Sequence, residues 1–247
     1  MRDNAPILPN PFVGASGGPA SHRIPRAANL RVVGDVHGDV HGLGAALETE
    51  RFVLQLGDLA DHGPDGAGAL RMMFARLATG RGLFLLGNHD FKLARALAGR
   101  AVKRNPALTA TLAGLDQELR TAALQAIAGA PAWLVAGSNF FVHGAFHIRM
   151  LLEPPPERPL EQPVSPLLAR ALFGQTTGRM QPDGYPERTL HWVAHIPAGL
   201  TVYCGHDCLS RDGRPAIRRN AAGGAAIFLD TGAGKGGHLS WIDLDPL

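Results

Sequence analysis

The chain of 247 residues is long enough to bury a large core, and its 45% hydrophobic and 18% charged residues are typical of a folded protein. A formal net charge of +3 does not by itself indicate nucleic-acid binding, and the chain has no apolar run long enough to span a membrane. Residues 1–27 are rich in proline, glycine and small residues and lack the apolar stretch of a secretion signal. We therefore expect a flexible arm at 1–27 and one domain at 28–247.

Short apolar runs that end in polar residues or glycine predict the strands. In chain order they are Leu30–Val33, Phe52–Leu56, Leu83–Leu86, Trp133–Val135, Phe140–Val142, Thr201–Tyr203, Ala225–Leu229 and Leu239–Ile242. Helices are predicted at Pro64–Thr79, Asp90–Ala98 and Ala107–Ile127, and the proline-rich stretch 151–166 predicts a loop. The runs at 133–135 and 140–142 predict a hairpin. Strands that alternate with helices indicate an α/β fold with mixed sheet pairing.

Two cysteines in a chain of this length do not make a disulfide framework. Cys204 and Cys208 are typical of free thiols, which favours a reducing cytoplasm as the location. A zinc site formed by these two residues with His206 is the alternative.

Polar side chains follow five of the predicted strands. They are Asp35 and His37, Asp58 and Asp61, Asn88 and His89, His143, and His206. Strands that share a direction bring their carboxyl ends to one edge of a sheet, so we expect these side chains to converge. Carboxylate, amide and imidazole ligands together suit divalent metals such as Mn, Fe or Zn. Asp58 is the carboxylate placed to bridge two of them.

The motifs "GDVHG", "GDLADHGPDG", "GNHD", "VHG" and "CGHD" resemble those of the calcineurin-like metallophosphoesterases, in the phosphoprotein-phosphatase branch. Residues 87–103, 173–207 and 228–244 are similar to the phosphatase module of bacterial polynucleotide kinase–phosphatases. The bacterial dinucleoside tetraphosphate hydrolases share the same pattern. The resemblance implies a four-layer sandwich in which helices flank two mixed β-sheets.

The resemblance also implies the site. Asp35 and His37 would hold one divalent metal, Asn88, His143 and His206 a second, and Asp58 would bridge them. The metal expected first is Mn, with Fe, Zn or Ni as alternatives. A hydroxide between the metals would attack phosphorus while His89, oriented by Asp61, protonates the leaving group. The implied substrates are nucleotides or nucleic-acid ends, with dinucleoside tetraphosphates or phosphoproteins as alternatives, and no membrane or obligate protein partner is expected.

Three features depart from that pattern. His62 stands where the family usually has an arginine that binds substrate phosphate, which leaves Arg149, Arg179 and Arg188 as candidates for that contact. Asp207 follows His206 and would either orient that imidazole or face solvent. The glycine-rich "TGAGKGG" at 231–237 lacks the spacing of a phosphate-binding P-loop, so we expect a hairpin turn between the last two strands. Because of His62, a non-catalytic phosphate-binding module is the rival hypothesis.

Overall fold

The computed structural model describes residues 24–25, 28–182 and 184–246. Apart from Ile24 and Pro25, the arm expected at 1–27 lies outside these residues, and its flexibility stays a prediction. The strands are β1 Leu30–Val33, β2 Phe52–Gln55, β3 Gly82–Phe84, β4 Trp133–Ala136, β5 Asn139–Val142, β6 Thr176–Met180, β7 Pro186–Arg188, β8 Thr201–Cys204, β9 Ala216–Arg219, β10 Ala225–Phe228 and β11 Trp241–Leu244. The α-helices are α1 Val40–Leu47, α2 Gly66–Ala78, α3 Asn88–Leu97, α4 Pro106–Gly114, α5 Gln117–Ala128 and α6 Pro166–Phe173, with 3-10 helices at Ile148–Leu151 and His191–His195.

The strands form two main mixed sheets, which confirms the predicted α/β fold. The first sheet has the order β11-β1-β2-β3, in which β1, β2 and β3 are parallel and β11 is antiparallel to β1. The second has the order β4-β5-β8-β10-β9, in which β5, β8 and β10 are parallel. Strands β4 and β9 run antiparallel to their neighbours, and β4 with β5 forms the predicted hairpin. Strands β6 and β7 pair separately.

The two sheets pack face to face, with helical segments on their outer faces. The residues buried between the sheets include Leu30, Val32, Leu54, Phe141, Tyr203 and Ile227. On the outer side of the first sheet, Phe74 of α2 lies against Phe84 with ring centroids 6.3 Å apart. On the outer side of the second, Trp192 of a 3-10 helix lies against Phe228 at 5.8 Å. Because side chains alternate along a strand, each strand contributes to one inner and one outer layer. The expected four-layer arrangement follows.

One predicted helix is two helices in the structure. The periodic stretch 107–127 is interrupted at Leu115, whose ψ of 120° is extended. Asp116 then caps α5, because its Oδ1 accepts a hydrogen bond from the Leu119 N–H at 2.8 Å. An N-cap of this kind satisfies a backbone N–H at a helix start, so it favours a new helix over the continuation of the old one.

Several short elements were not predicted. Helices α1 and α6 have only eight residues each, and α1 contains Gly42 and Gly44, which weaken a helical pattern. Strand β6 is exposed along its whole length, and β7 and β9 are exposed at most positions. Such strands lack the apolar run that reveals a buried strand in a sequence.

The hairpin expected at 231–237 is wrong. Strand β10 pairs with β8 and β9 in the second sheet, whereas β11 pairs with β1 in the first. The glycine-rich stretch therefore crosses from one sheet to the other. Glycines permit a tight hairpin and a crossover alike, and the residues that pair with β11 lie 208 to 214 positions away in the sequence, so local chemistry does not distinguish the two.

None of the helices in the described ranges combines the length and the hydrophobicity that a membrane crossing requires.

An ion pair joins the inner strand β1 to the edge strand β11 of the first sheet. Arg31 on β1 donates from Nε to Asp243 Oδ1 at 2.7 Å and from a terminal nitrogen to Oδ2 at 2.9 Å. The hydrogen bond from Arg31 lowers the pKa of the Asp243 carboxyl below its ordinary value. A lowered carboxyl pKa means that the pair stabilises the fold above the unfolded-state pKa and loses that effect as the pH falls through the folded-state pKa.

Asp243→Asn should therefore lower the free energy of unfolding by about 1 kcal/mol or less near pH 7, since solvent screens this partly exposed pair. The difference from the wild type should shrink as the pH falls below about 4. Urea unfolding near pH 7 and again below about pH 4 measures this difference in the free energy of unfolding. Asp245→Asn controls for the change in net charge. A difference that grows toward acid pH would contradict this assignment.

Candidate metal centre and active site

The polar clusters of the sequence follow the parallel strands of both sheets. Three parallel strands of each sheet end at a common edge, as parallel pairing requires. Ligand-type side chains within four residues of the carboxyl ends of these six strands include Asp35, Asp58, Asn88, His143, His206 and Asp230. The edges of the two sheets are joined there, because the Asp35 carboxylate accepts a hydrogen bond from the His206 N–H at 3.2 Å. The strand directions thus bring together the residues that the sequence scattered.

Backbone strain is concentrated in this cluster. In the described parts of the chain, the non-glycine residues with positive φ are His37, Asp58, Asp61, His62 and His206, with φ between 46° and 69°. L-residues rarely adopt this left-handed conformation, and it persists where the surrounding structure imposes it. All five residues belong to the motifs that sequence analysis assigned to the site.

One candidate metal-ligating group consists of Asp58, His143 and His206, whose ligand atoms lie within 4.8 Å of one another and could hold a metal ion. The Nδ1 of His143 lies 3.0 Å from the carbonyl oxygen of Leu56, which only accepts hydrogen bonds, so Nδ1 carries the hydrogen. The unprotonated Nε2 then points to Asn88 Oδ1 at 3.0 Å and to Asp58 Oδ2 at 3.5 Å. A lone pair, an amide oxygen and a carboxylate oxygen therefore face the same point.

A second group consists of Asp35, His37 and Asp230, again within 4.8 Å. The His37 Nδ1 donates to the carbonyl oxygen of Ala60 at 3.2 Å, which leaves Nε2 unprotonated. That Nε2 lies 3.7 Å from Asp35 Oδ2 and 3.6 Å from Asp58 Oδ2. The same oxygen of Asp58 is therefore within reach of an imidazole in each group.

Asp230 belongs to this second candidate group and was not predicted from the sequence. The signal was present, because "FLDTG" puts a carboxylate directly after a buried strand in the same way as "VVGD".

Both groups are rich in buried negative charge. Asp35, Asp58 and Asp230 are each no more than 2% exposed. Burial, followed by the charges of Asp230 and Asp58, raises the pKa of Asp35 well above its ordinary value. Several carboxylates in one buried site are costly unless a cation compensates them. The donor set therefore fits divalent metal ions.

The imidazoles of the two groups are held neutral. Burial lowers the pKa of His37 to about 4, and it also lowers the pKa values of His143 and His206. A neutral imidazole has the free lone pair that a metal ligand needs. Charge and tautomer thus agree in favouring metal ligation.

His89 differs from the other histidines of the site. Its Nδ1 lies 2.9 Å from Asp61 Oδ2, and the other oxygen of Asp61 accepts a hydrogen bond from the Thr111 hydroxyl at 3.2 Å. Burial opposes a charge on His89, but Asp58 and the hydrogen bond to Asp61 outweigh it and raise the pKa of His89 above its ordinary value. The imidazole is therefore fixed in orientation and favours the protonated form. Thr111, on α4, could not be connected to Asp61 from the sequence.

A buried carboxylate that was not predicted holds the Asp58 loop. Asp90 accepts hydrogen bonds from the backbone N–H groups of Asp58 at 2.7 Å, Leu59 at 3.1 Å and Gly87 at 3.2 Å. Burial, followed by the charge of Asp58, raises the pKa of Asp90 to about 7. The Asp58 carboxylate in turn accepts from the His89 N–H at 2.8 Å. These contacts fix the β2 and β3 ends relative to each other.

His62 lies in the cluster. Its ring centroid is 5.0 Å from that of His37 and 4.8 Å from that of His89. Burial lowers the pKa of His62, and the neighbouring charges of His89 and Lys235 act in the same direction. His62 is therefore a neutral side chain at the position where the resemblance implies a cation.

The three arginines predicted to contact phosphate lie in different surroundings. Arg188 borders the site, because its Nε lies 3.1 Å from Asp207 Oδ1 and a terminal nitrogen lies 3.4 Å from the His206 carbonyl oxygen. Arg149 pairs with Glu153 at 2.6 Å, and Arg179 lies 4.0 Å from Glu187 on the exposed β6–β7 pair. Their role in phosphate binding stays a prediction.

Of the two predicted alternatives for Asp207, the structure excludes the one in which it faces solvent, and its support of the His206 ring stays a prediction. Asp207 is only 6% exposed and binds Arg188, so it does not face solvent.

The cysteines are free thiols, as expected. Cys204 Sγ donates to the Ile227 carbonyl and Cys208 Sγ to the Ser210 carbonyl, while the His206 ring belongs to the metal-ligating group with Asp58.

Comparison with known proteins identifies the family. Residues 29–210 match the model of the calcineurin-like phosphoesterases. The chain belongs to this family. Its members are metal-dependent hydrolases of phosphate esters, and the chain is therefore an enzyme of that kind.

Individual relatives agree with this. A bis(5'-nucleosyl)-tetraphosphatase PrpE [asymmetrical] of Anoxybacillus flavithermus is 25% identical over 230 residues, which cover 85% of this chain and 87% of that protein. A solved structure provisionally named a diadenosine tetraphosphatase superposes with a TM-score of 0.58 at 21% identity, over 90% of this chain and 95% of the other. A serine/threonine phosphatase of Saccharomyces cerevisiae also superposes at 0.58, with 11% identity over 90% of this chain and 81% of its own. The two structural matches show a common fold.

Proposed function

We propose that this calcineurin-like phosphoesterase is a two-metal enzyme that hydrolyses nucleotide-type substrates, with dinucleoside tetraphosphates first among them. The observation that carries the two-metal proposal is the position of Asp58. Its Oδ2 lies 3.5 Å from His143 Nε2 in one metal-ligating group and 3.6 Å from His37 Nε2 in the other. One carboxylate oxygen is therefore shared by two otherwise separate ligand sets.

Asp35, His37 and Asp230 would hold one ion, and Asn88, His143 and His206 the other, with Asp58 between them. Mixed carboxylate and imidazole ligands favour Mn, with Fe, Zn or Ni as alternatives. Two such ions would supply positive charge that polarises a phosphoryl group and makes a water molecule acidic enough to act as the nucleophile.

His89 would act as the general acid. Its Nδ1 is hydrogen-bonded to Asp61, so Nε2 is the atom that would donate a proton to the departing oxygen. Asp61 orients the ring and, together with Asp58, favours its protonated form. Protonation by a positioned side chain contributes about 10²- to 10⁴-fold to a rate, most when the leaving oxygen is strongly basic.

The choice of substrate class has two supports. Residues 173–207 resemble a module that acts on nucleic-acid ends. The relative from Anoxybacillus flavithermus, which this chain matches over 87% of that protein's length, is named a bis(5'-nucleosyl)-tetraphosphatase. Both indicate substrates that contain nucleotides.

A substrate panel with Mn²⁺ tests this proposal. The panel contains diadenosine tetraphosphate, a 3′-phosphate oligonucleotide, a 2′,3′-cyclic nucleotide and a phosphopeptide. We expect the highest kcat/KM for diadenosine tetraphosphate and the lowest for the phosphopeptide. A preference for the phosphopeptide would contradict the substrate class, and a wild-type protein that hydrolyses none of them, nor p-nitrophenyl phosphate, would favour the non-catalytic binding module.

Residues of both sheets contribute to the proposed site, so we propose that 28–247 acts as one domain. The free thiols of Cys204 and Cys208 suit a reducing cytoplasm, which we propose as its location.

A steric prediction tests the geometry around Asp35. A Cβ at Gly205 would lie 2.0 Å from Asp35 Oδ1, so Gly205→Ala should displace that carboxylate. We expect Mn²⁺ binding to weaken about 10- to 100-fold in a calorimetric titration, the loss typical when the support of a ligand is removed. Gly44→Ala is the matched control, because its Cβ would make only an ordinary contact with Met72 at 3.5 Å. Wild-type affinity in Gly205→Ala would show that Asp35 holds no metal.

A further inference from the structure

Lys235 lies inside the candidate metal centre. Its Nζ is 2.9 Å from His37 Nε2 and 3.4 Å from Asp230 Oδ2. It belongs to the glycine-rich crossover between β10 and β11. Its side chain is 29% exposed, so Lys235 is only partly buried at the site.

The crossover is packed tightly against the loops that carry His37 and His62. A Cβ at Gly234, whose φ is +66°, would lie 2.2 Å from the His37 carbonyl oxygen. A Cβ at Gly63, the residue after His62, would lie 3.0 Å from the Gly234 Cα. Lys235 and His62 therefore border the same part of the site from two different segments of the chain.

Other cationic side chains border the site, but their carboxylate partners belong to neither metal-ligating group. Arg188 pairs with Asp207, which belongs to neither metal-ligating group. Lys92 lies 4.0 Å from Asp61, which also holds His89. These pairs would persist whether or not a metal is bound.

The partners of Lys235 are different, because both belong to a metal-ligating group. A divalent ion bound by Asp35, His37 and Asp230 would take the His37 lone pair and the charge of Asp230. The ammonium of Lys235 would then be repelled by the ion and would lack an anionic partner. The nearest source of new negative charge would be a phosphate on the same ion.

We propose that Lys235 binds the phosphate group of the substrate and supplies the positive charge that His62 does not. This proposal rests on the proposed function, because it requires a phosphate to bind at the loaded metal centre. The role is that of a substrate-binding and specificity-determining residue, and the reaction chemistry remains with the metal ligands and His89.

The test uses the Mn-loaded protein and inorganic phosphate as the probe. Calorimetry gives the dissociation constant of phosphate for the wild type, Lys235→Met, Lys235→Arg and the double variant Lys235→Met/His62→Arg. A hydrogen bond to a charged group predicts a loss of about 10- to 100-fold in Lys235→Met. Lys235→Arg should retain most of the affinity, and the double variant should regain it, because the guanidinium at 62 restores a cation. Lys103→Met, an exposed site, controls for net charge.

A separate Mn²⁺ titration of the metal-stripped variants distinguishes binding from structure. Lys235→Met should bind Mn²⁺ as tightly as the wild type or more tightly, because a competing cation has been removed. The proposal is overturned if Lys235→Met binds phosphate with wild-type affinity. It is also overturned if Lys235→Met loses Mn²⁺ binding and the double variant Lys235→Met/His62→Arg does not regain phosphate affinity. Absence of hydrolysis by the wild type would count against the proposed function alone, since the phosphate affinities are read without turnover.

Discussion

Asp58→Asn should reduce Mn-dependent hydrolysis of p-nitrophenyl phosphate by about 10³-fold or more. The carboxylate lies within reach of both metal-ligating groups, and an amide provides neither its charge nor two equivalent oxygens. The loss of several kcal/mol of transition-state stabilisation corresponds to a factor of this size. The measurement is kcat/KM over a range of Mn²⁺ concentrations, together with the number of Mn²⁺ ions bound.

The substitution should leave the fold nearly intact. The side-chain oxygen of an asparagine can still accept the hydrogen bond that the His89 N–H now donates to Asp58. Unfolding by urea checks this, and Asp245→Asn is the control for charge. An Asp58→Asn variant that kept more than a tenth of the wild-type kcat/KM at saturating Mn²⁺ would remove Asp58 from the proposed bridge.

His89→Ala should show an effect that depends on the leaving group. We expect a loss of about 10²- to 10⁴-fold in kcat with an alkyl phosphate, whose alkoxide needs a proton as it departs. The loss should be much smaller with p-nitrophenyl phosphate, because p-nitrophenolate departs without one. Mn²⁺ binding should be unchanged, since His89 belongs to neither metal-ligating group.

Asp61→Asn should lie between the wild type and His89→Ala on the alkyl phosphate, because the ring would lose the charge that favours its protonated form. Equal losses on both substrates would indicate that His89 shapes the site rather than donates a proton. Wild-type turnover of the alkyl phosphate by His89→Ala would exclude the general-acid role.

The sequence revealed the strand-end clusters because their chemistry is local. "GDVHG" and "GNHD" each place ligand-type side chains directly after an apolar run, and a shared strand direction is enough to bring them to one edge. The pairing of three parallel strands in each sheet then produces the cluster without further information.

The missed residues depend on contacts between distant segments. Lys235 reaches His37 across 198 positions, and only the crossover between the sheets brings the two together. Thr111 reaches Asp61 from α4, a helix whose packing the sequence pattern does not specify. Asp90 looked like an ordinary residue near a helix start, whereas its carboxylate holds the Asp58 loop from 32 positions away. Local patterns thus predict which residues can do chemistry, and tertiary packing decides which others support them.

Side chains from the ends of two sets of parallel strands should together hold a pair of divalent ions. Anomalous diffraction at the Mn absorption edge, from crystals grown with Mn²⁺, tests it most directly. We predict two peaks, one beside Asp35, His37 and Asp230 and one beside Asn88, His143 and His206, with Asp58 in contact with both. A cluster without anomalous signal at saturating Mn²⁺, or a single ion that does not touch Asp58, would contradict it.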